Sequence, residues 1–257
     1  MTFPRLFLLA LLQIAIIPLQ TTAQDTEVTE VVFEPKKMYF SNCFDGALLT
    51  TARHSGPLPL NTTRPVTVGT PRFTYFWNTG VHLNYDFNNH IGIFTGLGIK
   101  NLGFIEKTAS LDSTVKRRVY TIGLPVGIKL GNLKKKTYGF IGGGIDLPFN
   151  YREKGFIRRG KKDKFNEWFS DRTAATMPYA FAGISMKPGI YFKVQYYPGN
   201  FMNPDYSEPA VTTTGTPITI KPYATYDIQI LMFSVGFDIR YSNKMKIKAK
   251  EAKDNMM

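Results

Sequence analysis

Residues able to do chemistry are few in this chain of 257, which has three histidines, one cysteine and charges that recur at alternate positions. A hydrolytic centre needs a nucleophile, a base and an orienting acid within hydrogen-bond reach. His54-Ser55 opens a polar stretch, His82 lies within a strand pattern and His90 begins another, so no two share a local motif. A metal site needs His, Cys or carboxylates at ligand spacing, and the sequence has no such cluster. These residues imply no catalytic group, no metal ligand and no cofactor. Cys43 stands alone, which excludes an intramolecular disulfide and suits a small buried or lipid-facing side chain.

The charges obey a period of two, the signature of extended strands. Within 116–131, Arg118, Tyr120, Ile122, Leu124, Val126, Ile128 and Leu130 share one parity, and Arg117, Val119, Thr121, Gly123, Pro125, Gly127 and Lys129 share the other. Within 137–151, Ile141, Ile145, Leu147, Phe149 and Tyr151 line one face, and Gly142, Gly144, Asp146 and Asn150 the opposite one. Pro125 offers no N–H to a ladder and is expected at a bulge or local defect. Taken over all strands, the polar face carries Arg72, His82, Lys100, Arg117, Lys129, Asp146, Lys193, Asp238 and Arg240, with cations in excess of carboxylates. Such a set serves either as structural ion pairs or as a path for protons or anions.

Eight strands position these residues, at 39–52, 72–86, 90–106, 116–131, 137–151, 178–187, 190–202 and 223–241. In the last, Ile228 and Ile230 fall on the polar parity, which implies a β-bulge near Ile230. An apolar face can look into a soluble core or out at lipid, and alternation alone does not choose. The connections do. Short turns at 87–89, 132–136 and 188–189 alternate strictly with longer polar segments at 53–71, 107–115, 152–177 and 203–222. That rhythm predicts an all-β fold, an antiparallel up-and-down transmembrane β-barrel of about eight strands with short periplasmic turns and long extracellular loops. A barrel of that size is filled by side chains and does not conduct as an open porin does.

Export fits this fold. Arg5 precedes an apolar run from Leu6 to Leu19, and small residues end at Ala23, the pattern of a cleaved secretory signal over 1–23. The expected organisation continues with a mature N-terminal segment at 24–38, the barrel at 39–241 and a basic tail at 242–257. Formal net charge is +13, which suits an anionic partner or surface. Because the cations sit in loops and tail around an exported barrel, nucleic acid is not the expected partner.

The ending TTAQ, the run PRFTYFWNTGVHLNYDFNNHIGIFTGLGIKNLGF, the arm VKRRVYTIGLPVGIKLGN and the loop KFNEWFSDRT resemble the porin-family, PorT-like outer-membrane β-barrel proteins of Bacteroidota, similar in architecture to OmpX and the OmpA barrel. The resemblance implies a monomer in the cell outer membrane, inserted by the barrel-insertion machinery and in contact with outer-membrane lipid, lipopolysaccharide and an envelope protein. It brings no catalytic motif, so the expected role is non-enzymatic: envelope structure, surface interaction or a secretion accessory. Two alternatives stand beside it, a lipid A-modifying enzyme using His54 or His82, and a soluble exported barrel with its faces reversed around an apolar ligand. In the loop 152–177, Lys154, Arg158, Arg159, Lys161, Lys162 and Lys164 precede Phe165, Trp168 and Phe169, spaced as one face of a short helix. Cations beside aromatics suit lipopolysaccharide, and they suit equally a solvated loop whose aromatics cover the rim.

Overall fold

The structure, a computed structural model, describes residues 38–54, 66–73, 77–108, 113–156, 162–212 and 214–240. All of them belong to the compact unit Pro35–Met257. The expected signal, the tail, Arg158, Arg159, Lys161 and the side chains of Trp77 and Lys162 lie outside the described residues.

Eight long strands close a ring: β1 (Met38–His54), β3 (Trp77–Asp86), β4 (Ile91–Thr108), β5 (Ser113–Asn132), β6 (Thr137–Phe156), β8 (Met177–Met186), β9 (Ile190–Tyr197) and β12 (Ile228–Arg240). Each pairs antiparallel with the next, and β1 closes on β12 from Ser41↔Arg240 to His54↔Ile228. Turns at one end are tight because side chains replace backbone partners; Asn88 Oδ1 accepts from the His90 and Ile91 amides at 2.7 and 2.8 Å. Gly189 closes the β8–β9 turn at φ +134°, a conformation that favours glycine.

Alternation puts grease outside and charge inside. Ile122 is 42% exposed and Phe237 44%, whereas Lys129 is 1% and Asp146 0% exposed. The reversed-face reading, a soluble barrel around an apolar ligand, is therefore wrong for this chain. On β5 the outward run from Ile122 to Leu130 spans eight residue steps, roughly 20 Å of height for strands tilted about 40°. That approaches the apolar band of about 25 Å on transmembrane barrels. The chain is a membrane β-barrel.

Strands overrun this belt at the end opposite the turns. β4 and β5 leave only 109–112 between them, and the longer connections carry β2 (Val66–Thr70) on β4, β7 (Lys162–Trp168) on β6, and the hairpin β10 (Glu208–Val211) with β11 (Pro217–Ile220). Much of what reads as loop in the sequence is thus paired backbone. Pro125 keeps its register opposite Gly144, and its defect appears on the β4 side, where pairing lapses between Thr95↔Val126 and Gly98↔Gly123.

Two bulges differ from the sequence expectation. None interrupts β12, which pairs with β9 and with β1 in unbroken parity, so Ile228, Ile230 and Met232 face inward and are buried. The β1–β12 irregularity lies on β1, between Ala47 and Leu49. On β6 the register steps from Thr121↔Pro148 to Tyr120↔Asn150, leaving Phe149 unmatched and turning Tyr151 and Glu153 inward.

Inward glycines seat a slab of rings: Phe94 meets Phe181 at 5.9 Å and Phe140 at 6.3 Å. A Cβ on Gly142 would stand 2.1 Å from Val126 O and 2.7 Å from the Phe181 ring. Gly142→Val is expected to destabilise the barrel by about 1–3 kcal/mol through overpacking, read as a lower urea midpoint for the folded band on an unheated gel.

Candidate functional site

Three buried ion pairs cross the lumen, each built from different strands. Nearest the turns, Lys129 Nζ on β5 donates to Asp86 Oδ1 (2.6 Å), Tyr39 Oη (2.9 Å) and Asn84 Oδ1 (3.1 Å), matching its three protons with three acceptors. Further along, Lys193 of β9 pairs with Asp45 of β1, whose carboxylate also accepts from Asn78 at 2.7 Å and the Tyr191 hydroxyl at 3.0 Å. Beyond these, Lys100 of β4 meets Asp146 of β6 at 2.8 Å and lies 3.7 Å over the Tyr179 ring. Asp146 takes a further bond from Tyr197 at 2.7 Å and one from Thr121 at 3.3 Å.

Between the pairs lies a cavity of about 80 Å³. One water needs roughly 10–15 Å³, so the space has room for a small cluster. His82 and Cys43 line it, with Cys43 Sγ 3.0 Å from His82 Nδ1 and 3.8 Å from Asp238 Oδ1. The other histidines lie elsewhere: the His54 ring faces Tyr226 at 5.9 Å, and His90 is exposed in the β3–β4 turn. No group of three His, Cys, Asp or Glu among the described residues is placed to hold a metal.

Toward the far end the interior becomes apolar. Leu102, Phe104, Val119, Met177, Phe201, Met202, Ile228, Ile230 and Met232 form an apolar plug across the ring. Arg117 joins its outer edge, with Glu106 at 3.0 Å, Glu153 at 2.6 Å and the Tyr151 hydroxyl at 2.9 Å. At the opposite mouth Arg240 donates to the Leu133 carbonyl at 3.2 Å and stacks over Tyr39.

Of the nine polar residues the sequence nominates, Arg72 is misplaced. Its guanidinium donates to Asn101 Oδ1, and Asn101 has the parity opposite to the lumen-facing Lys100 and Leu102. Arg72 therefore belongs to the barrel wall, where β2 gives way to β3. The expected excess of cations is also absent, because Asp45, Asp86, Glu106 and Glu153 answer them. Asp86 was legible on the parity of His82 and Asn84. Glu153 was hidden by the Phe149 bulge.

The helical spacing of Phe165, Trp168 and Phe169 does not produce a helix. Residues 162–168 form β7 because β6 runs past the belt and offers an edge, from Phe156↔Lys162 to Asn150↔Trp168. In a strand, positions i and i+3 face opposite ways. Phe165 meets Tyr151 on the inner side, and Trp168 stacks on Phe149 at 6.0 Å on the outer side. Phe169 leaves the strand at φ +50° and is exposed. Lys164 is exposed on the outer face of β7, opposite Lys154.

No protein-family model and no curated protein matches this sequence. Among solved structures, the attachment invasion locus protein Ail of Yersinia pestis, in complex with the heparin analogue sucrose octasulfate, is 12% identical at a TM-score of 0.29, covering 79% of this chain and 97% of Ail. Neisserial surface protein A is 10% identical at a TM-score of 0.33, with 80% and 98% covered. The outer membrane protease OmpT of Escherichia coli is 9% identical at a TM-score of 0.31, with 83% and 99% covered. The barrel assignment itself rests on the closed ring and outward belt of this chain.

Removing one partner of a buried pair strands the other charge, which costs about 3–5 kcal/mol, whereas replacing both by apolar groups is often neutral. Lys100→Met and Asp146→Leu are each expected to lower the urea midpoint sharply, and the double variant to recover most of the loss. A double-mutant cycle on the folded band measures this.

Proposed function

We propose that this chain is an integral protein of the cell outer membrane, exported by the segment 1–23, and that it works as a non-enzymatic monomer in envelope structure, surface interaction or secretion support. One observation carries the reading: three ion pairs cross the lumen within the belt, around one cavity, and an apolar cluster closes it beyond. An interior closed by that apolar cluster is no open pore, and the work of the molecule then falls to its outer end. Lipopolysaccharide and other envelope components are the partners that a basic, aromatic outer end favours.

Two measurements test this. Reconstituted in planar bilayers, the protein is expected to give no unitary conductance steps, and regular ohmic steps would refute the plug. In cell fractionation it is expected to stay with membranes through carbonate washing and to migrate faster on gels when unheated. Release by carbonate would remove the membrane assignment.

A further inference from the structure

Above the belt, the outer face of β5, β6 and β7 changes chemistry in a fixed order. Along β5 the outward residues run Lys116, Arg118, Tyr120, then Ile122, Leu124 and Val126. On β6, Lys154 and Arg152 stand above Phe149 and Leu147; on β7, Lys164 and Asn166 stand above Trp168. Cations, aromatics and aliphatics thus fall into three successive tiers across neighbouring strands.

Register makes the top tier repulsive. Arg118 lies opposite Arg152, with Lys116 the next outward residue along β5. Side chains so opposed have Cβ atoms about 4.5–5.5 Å apart, and like charges there destabilise a sheet. Among the described residues no carboxylate makes an ion pair with Lys116, Arg118, Arg152 or Lys164. The nearby acids Glu106 and Glu153 turn inward to Arg117.

Height identifies the counter-ion. Arg118 is two positions beyond Tyr120 and four beyond Ile122, roughly 5 and 10 Å higher once the strand tilt is included. Polar headgroups occupy about 5–8 Å on each side of the hydrocarbon. Tyr120, Phe149 and Trp168, which touch in sequence through ring centroids at 6.4 and 6.0 Å, mark the boundary below. We propose that the β5–β6–β7 ladder binds the phosphate groups of an anionic outer-leaflet glycolipid, with Arg118 and Arg152 as its paired guanidinium forks and the three rings against the top of the acyl chains. This rests on the outer-membrane reading and gives it a site: two β5 residues that the sequence did not nominate, joined to β6 and β7.

The test uses the full-length protein purified in an uncharged detergent, with bis-phosphorylated lipid A and its dephosphorylated counterpart as probes, and native mass spectrometry to count retained lipid. Wild type is expected to prefer the phosphorylated lipid by about tenfold or more, and Arg118→Gln/Arg152→Gln to lose that preference. Without lipid, the same variant is expected to melt about 1–4 °C higher because a repulsive pair is gone; with phosphorylated lipid the order reverses. Equal retention of both lipids by wild type, or an undiminished preference in the variant, overturns the site. Inorganic pyrophosphate binding as tightly as the lipid overturns the assignment to a membrane lipid. Failure of the outer-membrane reading shows separately, as carbonate release of wild type before any lipid is added.

Discussion

Closing the sheet on itself surrounds the inward face with hydrocarbon, and every charge placed there must be answered from within the same narrow lumen. Lys129 draws its three acceptors from β1 and β3, Lys193 reaches from β9 to Asp45 on β1, and Lys100 reaches from β4 to Asp146 on β6. These links connect strands far apart in the chain, so they constrain the whole cylinder and not merely neighbouring hairpins. A slip of one residue in any strand would exchange its inner and outer faces, leaving ammonium groups in lipid and carboxylates unpaired. Pairing across the lumen therefore fixes the register that the backbone ladder alone would leave open.

Past the belt the outer surroundings are polar again, and the same strands reverse their polarity. Within the belt β5 shows Ile122 and Leu124 outward against Thr121 and Gly123 inward; beyond it, Arg118 and Lys116 face outward against Val119 inward. β12 does likewise, with Ser234 and Asp238 buried near the turns and Ile228 and Ile230 buried at the far end. The molecule is a membrane barrel for one part of its height and a β-structure with its own apolar core for the rest. Phe104 against Phe201, and Ile228 and Met232 beside them, supply the burial that the polar storey cannot.

That reversal explains what was legible in the sequence. The β5 and β6 arms alternate cleanly because most of their length lies in the belt; from them the two faces, with Lys129 and Asp146 on the polar one, can be read, and the rhythm of short and long connections turns the apolar face outward. The upper half of β12 looked like a broken pattern because one polarity rule was applied throughout; the parity is continuous, and the environment changes. Tyr151 and Glu153 were unreadable for another reason, since the extra residue at Phe149 has no signal in composition. β7 exists because of a long-range edge on β6, and tertiary pairing overrode a helical spacing of only three residues. Arg72 has the right parity for the lumen within 72–86, but its guanidinium turns to Asn101 and ends in the wall.

Charges inside and outside the barrel are handled in opposite ways, and the contrast is informative. Each lumen lysine has a carboxylate within ion-pair distance, supported by hydroxyl or amide partners, although desolvation makes such pairs of little net benefit to stability. On the outer face of β5 and β6, where a glutamate at one position would relieve repulsion at small cost, cation is set against cation instead. A chain that can place Glu106 and Glu153 beside Arg117, on the inner side of the same strands, does not lack acids at that height. The Arg118–Arg152 pair stands just above the aromatic tier, along the polarity reversal.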